Sequence, residues 1–121
     1  MARLLIIDDD PQMRRSLEIT LTAAGHTVAA AANGRAGLKA FRDGAVDIVI
    51  TDIVMPEMEG LETIRELRKR RPDLKIVAIS GAWSQPISYL RIAKELGAHY
   101  LLAKPFETQA LLDVIDRASA S

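Results

Sequence analysis

The sequence of 121 residues contains no cysteine and few aromatic residues. Without thiols the chain has no disulfide bonds, no thiolate metal ligands and no cysteine nucleophile. Aromatic residues make up 4% of the chain, although 49% of it is hydrophobic and 18 residues are alanine. The core must therefore be aliphatic, built from leucine, isoleucine, valine and alanine.

Neither sign of charge is in excess, since sixteen basic residues balance sixteen acidic ones. Direct binding to nucleic acid or to an anionic membrane requires a basic surface, so we expect neither. No hydrophobic run approaches the ~18 residues of a membrane-spanning helix. The length suits one domain with a substantial core. We therefore predict a single cytoplasmic domain over residues 1–121.

Short apolar runs alternate with longer amphipathic segments along the chain. The runs at 47–50 and 75–79 are rich in Val and Ile, which is typical of strands buried on both faces. The alanine-rich run at 27–31 suits an edge strand. We predict five strands, at 4–7, 27–31, 47–50, 75–79 and 100–103, and five helices, at 11–24, 33–43, 59–71, 84–96 and 106–118.

This alternation predicts the α/β class, with a parallel sheet, right-handed crossovers and helices on both faces. Five strand–helix units are too few for an eight-stranded barrel, so we expect an open, doubly wound sheet. At the first helix, Asp10 is placed to cap the amino end and Pro11 suits the first helical position. Gly25 follows as the residue that ends this helix.

Polar side chains follow four of the five predicted strands. In an open α/β sheet, ligands bind beyond the carboxyl ends of the strands. Each such residue alone is more often a cap, a turn residue or a surface residue, but their joint occurrence at one edge favours a functional site. The residues are Asp8, Asp9, Asp10, Asp52, Ser80 and Lys104.

The residue types at this edge favour phosphoryl chemistry. Carboxylates about 4 Å apart repel by roughly 4 kcal/mol at an effective dielectric constant near 20, so clustered aspartates need a cation. Lys104 supplies one positive charge. Oxygen ligands without nearby histidine or cysteine favour Mg²⁺, which suits a site shared with a phosphoryl group. A carboxylate beside the metal can act as the nucleophile and form an aspartyl phosphate.

Four stretches resemble the receiver domains of bacterial two-component response regulators, the CheY-like family. They are LLIIDDDPQMRR, DIVITDIVMPEMEG, IVAISGA and LLAKPF, and the resemblance extends over essentially the whole chain. It implies a flavodoxin-like fold with strand order 2-1-3-4-5. It also implies a signalling phosphoacceptor rather than an enzyme, which catalyses only its own phosphorylation and dephosphorylation.

The resemblance assigns the phosphoacceptor and the metal ligands. Asp52 is expected to accept a phosphoryl group from the phosphohistidine of a histidine kinase or a histidine phosphotransfer protein. Asp8 and Asp9 are expected to hold Mg²⁺, together with Asp52 and the backbone carbonyl of Val54. Phosphorylation is then expected to reshape a surface that binds a downstream protein target or a fused output domain.

The resemblance also assigns the residues that contact the phosphoryl group. Ser80 is expected to donate a hydrogen bond to it and Lys104 to pair with it. The peptide bond between Lys104 and Pro105 is expected to be cis. Pro56 and Gly60 are expected to shape the loop that follows the phosphoacceptor.

The sequence departs from the family pattern at Leu101, where the family usually has an aromatic residue whose rotamer reports the switch. Tyr100 is adjacent, but strand alternation directs its side chain to the opposite face. Val54 and Ala82 are apolar where the family often has polar residues that help water to reach the acyl phosphate. We therefore expect slow self-dephosphorylation.

Two other functions fit parts of the pattern. A phosphatase of the haloacid dehalogenase type also uses aspartate, Mg²⁺ and lysine, but residues 8–12 lack the threonine of its Asp-x-Asp-x-Thr motif. A receiver that only binds partners would not need the complete site. The basic run at 65–71 favours a solvated helix end over a docking patch, and His26 and His99 are expected to be structural or exposed.

Overall fold

A computed structural model of the chain describes residues 2–41, 45–53, 60–81, 91, 94–95, 97–104 and 106–120. The strands are β1 (Arg3–Ile7), β2 (Thr27–Ala31), β3 (Ile48–Asp52), β4 (Lys75–Gly81) and β5 (Tyr100–Lys104). The helices are α1 (Pro11–Ala23), α2 (Gly34–Ala40), α3 (Gly60–Arg70) and α4 (Thr108–Ala120). The helix predicted at 84–96 lies almost entirely outside the described residues.

The five strands form one parallel sheet in the order β2-β1-β3-β4-β5. This order confirms the doubly wound sheet and places the alanine-rich β2 at an edge, as predicted. In the central pair, Ile7 of β1 lies opposite Thr51 of β3. The next residue along each strand is an aspartate, so this register sets Asp8 beside Asp52.

Alternate residues of the central strands face opposite layers of helices. Leu5 of β1 joins a buried cluster with residues of α2 and α3. Leu4, one residue earlier, joins a second cluster with residues of α1 and α4. Among the described residues, Phe41 is the only aromatic side chain in the buried core. The core is therefore aliphatic, as the composition predicts, and the sheet is covered on both faces.

The predicted caps of α1 are confirmed. Asp10 accepts a hydrogen bond from the amide of Gln12 at 3.0 Å, and Pro11 is the first helical residue. After the helix, Gly25 adopts a φ of 100°, a conformation that is costly for any residue with a Cβ. The chain can therefore turn sharply from α1 into β2.

Helix α2 ends earlier than the predicted range of 33–43. Asn33 caps its amino end by accepting a hydrogen bond from the amide of Ala36 at 2.8 Å. The helix ends at Ala40, because Phe41 adopts an extended conformation and buries its side chain in the core. The extended backbone of Phe41 thus marks the end of the helix.

Three strands end later than predicted. Strand β3 runs to Asp52 rather than to residue 50, because its backbone continues to pair with β4 up to Ile79. Strands β4 and β5 likewise continue through the pair formed by Gly81 and Lys104. The candidate residues Asp52, Ser80 and Lys104 therefore lie within strands, which hold their backbones more firmly than loops would.

Candidate functional site

Three carboxylates meet at the carboxyl edge of the sheet. One oxygen from each of Asp8, Asp9 and Asp52 lies within 4.8 Å of the other two. Asp8 and Asp52 are buried, with 1% and 7% of their surface exposed, whereas Asp9 faces solvent. The parallel register of β1 and β3 produces this meeting, because it brings together residues that are 44 positions apart in the sequence (8 and 52).

The ammonium group of Lys104 contacts both buried carboxylates. Its Nζ lies 3.4 Å from Oδ2 of Asp8 and 3.3 Å from Oδ2 of Asp52. Burial alone would lower the pKa of Lys104, but the charges of Asp52 and Asp8 outweigh burial and raise this pKa. Lys104 therefore stays positively charged at neutral pH and partly neutralises the negative charge of the two buried carboxylates.

The ionised form of Asp8 is costly in this pocket. Burial raises the pKa of Asp8, and the charge of Asp52 acts in the same direction. The amide of Asp10, which donates to Oδ1 of Asp8 at 2.9 Å, and the ammonium of Lys104 oppose this rise only in part. Among the described residues of this cluster, three carboxylates lie beside one ammonium, so negative charge is in excess.

The chemistry of this donor set fits a magnesium ion. Mg²⁺ prefers oxygen ligands, and it usually keeps several of its waters rather than entering an all-protein cage. The three aspartates supply carboxylate oxygens at one place, and the exposed side of Asp9 leaves room for water and substrate. A divalent cation here would neutralise the charge that Lys104 leaves uncompensated.

The turn between β1 and α1 is held by hydrogen bonds on both of its sides. The amide of Asp8 donates to the carbonyl of Ala31 at 3.1 Å. The guanidinium of Arg14, on α1, donates from Nη1 to the carbonyl of Asp8 at 2.8 Å. Sequence reasoning missed Arg14, because no sequence pattern distinguishes it from its neighbour Arg15.

Helix α3 begins directly against the backbone of β3. At Gly60, a Cβ would overlap the carbonyl oxygen of Asp52 and the Cα of Ile53. Glycine is therefore required for this close approach. The contact gives a physical reason for the predicted role of Gly60 in shaping this part of the site, while Pro56 lies outside the described residues.

Three expectations about the site are not tested by the described part of the structure. The backbone of Ser80 pairs with Ala103, but the placement of the Ser80 hydroxyl is not among the described features. The carbonyl of Val54 and the peptide bond between Lys104 and Pro105 also lie outside the described part of the chain. The roles assigned to them remain predictions.

The two faces of β5 agree with the predicted alternation. Leu101, where the family usually has an aromatic residue, packs against the cluster formed with α2 and α3. Tyr100 packs against the opposite cluster, formed with α1 and α4. Tyr100 therefore does not replace the missing aromatic side chain.

The basic run on α3 is used largely within the protein. Arg68 donates to the carbonyls of Pro72 and Gly97, and Arg70 donates to the carbonyl of Leu38 at 2.9 Å. Arginines committed to carbonyls at a helix end support the helix-end interpretation rather than a docking patch.

Both histidines lie at the amino ends of strands, on the side of the sheet opposite the aspartates. His26 accepts a hydrogen bond from the amide of Ala2 at 3.0 Å, just before β2. The amide of His99 donates to the carbonyl of Ile76 at 2.8 Å, just before β5. Burial lowers the pKa of His99, and the charges of Arg68 and Lys75 add to this effect. The predicted structural role of the histidines is therefore consistent with their contacts.

Comparison with known families identifies the family to which this fold belongs. The model of the response regulator receiver domain matches residues 4–116. The chain belongs to this family. It is 36% identical over 118 residues to the chemotaxis protein CheY of Thermotoga maritima, and the match covers 97% of each protein. Receiver domains are components of two-component systems, and they are signalling phosphoacceptors rather than enzymes of the usual kind.

The family also includes much longer proteins. The DNA-binding transcriptional regulator NtrC of Azospirillum brasilense is 38% identical over 117 residues, which are 97% of this chain and 24% of NtrC. This receiver domain thus spans about a quarter of the length of that relative. Response regulators act with histidine kinases and with output domains.

A solved structure matches the whole described fold. The response regulator protein TrrA from Thermotoga maritima, in complex with Mg²⁺–BeF, has a TM-score of 0.85 and 31% sequence identity. The match covers 98% of this chain and 99% of TrrA. Separately, none of the helices in the described part of the chain combines the length and apolar composition needed to cross a membrane.

Proposed function

We propose that residues 1–121 form a single receiver domain in which Asp52 accepts a phosphoryl group from a phosphohistidine. One observation carries this proposal. The buried carboxylate of Asp52 lies 3.3 Å from the ammonium of Lys104 and within 4.8 Å of the carboxylates of Asp8 and Asp9. A nucleophilic carboxylate, a fixed cation and two further acidic ligands are the groups that phosphoryl transfer to an aspartate requires.

The transfer exchanges one bond to phosphorus for another. A carboxylate oxygen of Asp52 forms a bond to phosphorus while the bond between phosphorus and the imidazole nitrogen of the donor breaks. The bonding electron pair returns to the imidazole, which takes up a proton from water. Lys104 is held beside the reacting carboxylate by its contact with Asp8, so its charge stabilises the phosphoryl oxygens without a change of position.

The metal ligands in this proposal are Asp8, Asp9, Asp52 and the backbone carbonyl of Val54. A bound Mg²⁺ supplies positive charge that neutralises the phosphoryl oxygens. Asp8 and Asp52 hold their oxygens within a buried pocket, and the exposed Asp9 keeps the site open to the donor. TrrA, a protein of the same fold, was solved in complex with Mg²⁺–BeF, which supports Mg²⁺ as the ion in this proposal.

Ser80 completes the proposed phosphoryl site. Its backbone lies in β4 beside Ala103, one position before the pair formed by Gly81 and Lys104. A hydroxyl at this edge is suited to donate a hydrogen bond to the bound phosphoryl group. The domain catalyses only the gain and loss of its own phosphoryl group, and the apolar Val54 and Ala82 make the loss slow.

The partners in this proposal follow from the family. A histidine kinase or a histidine phosphotransfer protein supplies the phosphoryl group, and a downstream protein or a fused output domain responds to it. CheY, which matches over 97% of its length, and NtrC, which matches over 24%, represent these two arrangements. The receiver domain itself has no net charge, so direct nucleic-acid binding is not part of its proposed role.

Intact mass measurement with a small phosphodonor tests this function. The protein is incubated with acetyl phosphate and Mg²⁺, beside an Asp52→Asn variant and an Asp116→Asn variant, in which an exposed aspartate of α4 is changed. We expect wild type and Asp116→Asn to gain one phosphoryl group only with Mg²⁺, and Asp52→Asn to gain none. No gain by wild type, with the acetyl phosphate intact, would identify a module that binds partners without phosphorylation. No gain with rapid phosphate release would instead favour a phosphatase or very fast turnover.

A further inference from the structure

We propose that Arg14 positions Asp8 and Asp9, in the β1–α1 turn, for metal binding, a role that rests on the function proposed above. The turn consists of Asp8, Asp9 and Asp10, between the last residue of β1 and the first residue of α1. Two of the three proposed aspartate ligands therefore lie in a segment that belongs to neither element. Such a segment needs contacts of its own to hold a fixed geometry.

Arg14 donates hydrogen bonds to the residues on both sides of Asp9. Its guanidinium donates to the carbonyl of Asp8 at 2.8 Å, and its backbone amide donates to the carbonyl of Asp10 at 2.9 Å. The first bond comes from a charged donor, which makes it stronger than a neutral hydrogen bond. Only the first bond involves the arginine side chain. The two bonds hold the backbone on either side of Asp9, whose own side chain is exposed.

The hydrogen bond from the Arg14 guanidinium to the Asp8 carbonyl also influences the side chain of Asp8. The amide of Asp10 donates to Oδ1 of Asp8 at 2.9 Å, while Oδ2 faces Lys104 at 3.4 Å. This orientation depends on the conformation of the turn, which the contact between Arg14 and the Asp8 carbonyl holds closed. Residues that orient ligands in this way commonly affect metal affinity about 10-fold or more when they are changed.

A positioning role and a purely electrostatic role predict opposite effects on metal affinity. The positive charge of Arg14 repels a cation in the nearby acidic pocket. If charge were its only influence, removal of the guanidinium would strengthen Mg²⁺ binding. If Arg14 holds the turn in the geometry that binds metal, its removal weakens Mg²⁺ binding. The sign of the change therefore separates the two roles.

The chain provides a matched control in the next residue. Arg15 carries the same charge on the same helix and is exposed, whereas Arg14 is half-buried against the turn. Titration calorimetry with magnesium chloride is applied to wild type, Arg14→Ala, Arg14→Lys and Arg15→Ala. Circular dichroism and the urea midpoint without Mg²⁺ verify that each variant is folded.

We expect Mg²⁺ to bind Arg14→Ala about 10-fold more weakly than wild type, since ligand geometry is lost. Arg14→Lys, which keeps a donor and a charge, is expected to recover part of this affinity, and Arg15→Ala to bind as wild type does. Saturating Mg²⁺ is expected to restore the rate at which Arg14→Ala reacts with acetyl phosphate, as a lower affinity requires.

Two results would overturn the inference in distinguishable ways. If wild type binds Mg²⁺ and folded Arg14→Ala binds it equally or more tightly, Arg14 does not position the ligands, while the proposed function stands. If wild type itself binds no Mg²⁺, both the inference and the proposed function fail. If Arg14→Ala proves unfolded, Arg14→Lys is compared with wild type instead. Equal affinity for Mg²⁺, together with an equal rate of reaction with acetyl phosphate at low Mg²⁺, would refute the role of the guanidinium.

Discussion

Replacing Asp8 with asparagine is expected to stabilise the folded protein when divalent cations are absent. Asp8 is 1% exposed, and burial raises its pKa, so its ionised form is unfavourable in the fold. An asparagine keeps an oxygen that can accept the hydrogen bond from the amide of Asp10. The substitution therefore removes a buried charge while it retains the shape and the local contact.

The distances in the pocket show how far the charges around Asp8 offset one another. At an effective dielectric constant near 20, Asp8 is attracted to Lys104, 3.4 Å away, by about 5 kcal/mol. Repulsion from Asp9 and from Asp52, each within 4.8 Å, is roughly 3.5 kcal/mol per pair on the same basis. Solvent screens the exposed Asp9, so attraction and repulsion nearly cancel. The expected gain, on the order of 1 kcal/mol, therefore comes from removing a buried charge, since burial is the largest cause that raises the pKa of Asp8.

Urea unfolding followed by circular dichroism measures this gain with and without Mg²⁺. Without the cation, the variant is expected to unfold at a higher urea concentration than wild type. At ten times its dissociation constant, Mg²⁺ would stabilise wild type by about 1.4 kcal/mol, whereas a variant with one ligand oxygen less gains little. Asp116→Asn, on the surface of α4, is expected to resemble wild type in both conditions.

The pH dependence of stability provides a second check on Asp8. Because its pKa is raised in the fold, the folded state binds more protons than the unfolded state between the ordinary and the raised value. This group therefore makes wild type less stable as the pH rises through that window, and the variant lacks this contribution. An Asp8→Asn protein that is less stable than wild type without divalent cations would refute the charge argument.

Three further substitutions test other parts of the structure. Lys104→Ala is expected to lower stability at pH 7 by roughly 1–3 kcal/mol, measured by urea unfolding, because it leaves Asp8 and Asp52 without their shared cation; unchanged stability would contradict this. Gly60→Ala is expected to lower the thermal midpoint and to cost about 1–3 kcal/mol, since its methyl group overlaps the backbone of Asp52; a neutral result would show that α3 can shift freely. Wild type is expected to lose stability as the pH falls below about 6.5, because burial lowers the pKa of His99 and its protonation then favours the unfolded state. His99→Gln is expected to show a smaller loss, and identical pH profiles would exclude this contribution.

The fold could be predicted from hydrophobic pattern and chain topology. Continuous apolar runs in β3 and β4 indicated strands buried on both faces, and the period of two predicted that Tyr100 and Leu101 face opposite layers. The ends of the strands were less predictable, because pairing with a neighbour, as between Asp52 and Ile79, depends on tertiary structure. Likewise, α2 is shorter than predicted because the backbone becomes extended at Phe41, which no local sequence pattern indicated.

Part of the site could also be predicted from the sequence. The carboxyl ends of parallel strands share one edge, so the meeting of Asp8, Asp52 and Lys104 follows from their positions after apolar runs. Contacts made by long side chains could not be predicted, because their partners lie on other elements. The bond from Arg14 to the carbonyl of Asp8 and those from Arg68 to distant carbonyls are of this kind.

The central claim is that Asp52 is the phosphoacceptor, and locating the modified residue tests it most directly. The protein is treated with acetyl phosphate and Mg²⁺ and then with borohydride, which reduces an aspartyl phosphate to homoserine. Peptide fragmentation by tandem mass spectrometry then identifies the converted position. The account predicts homoserine at position 52 alone, and none when Mg²⁺ is chelated. Conversion at Asp8 or Asp9 instead, or no conversion with the phosphodonor intact, would contradict it.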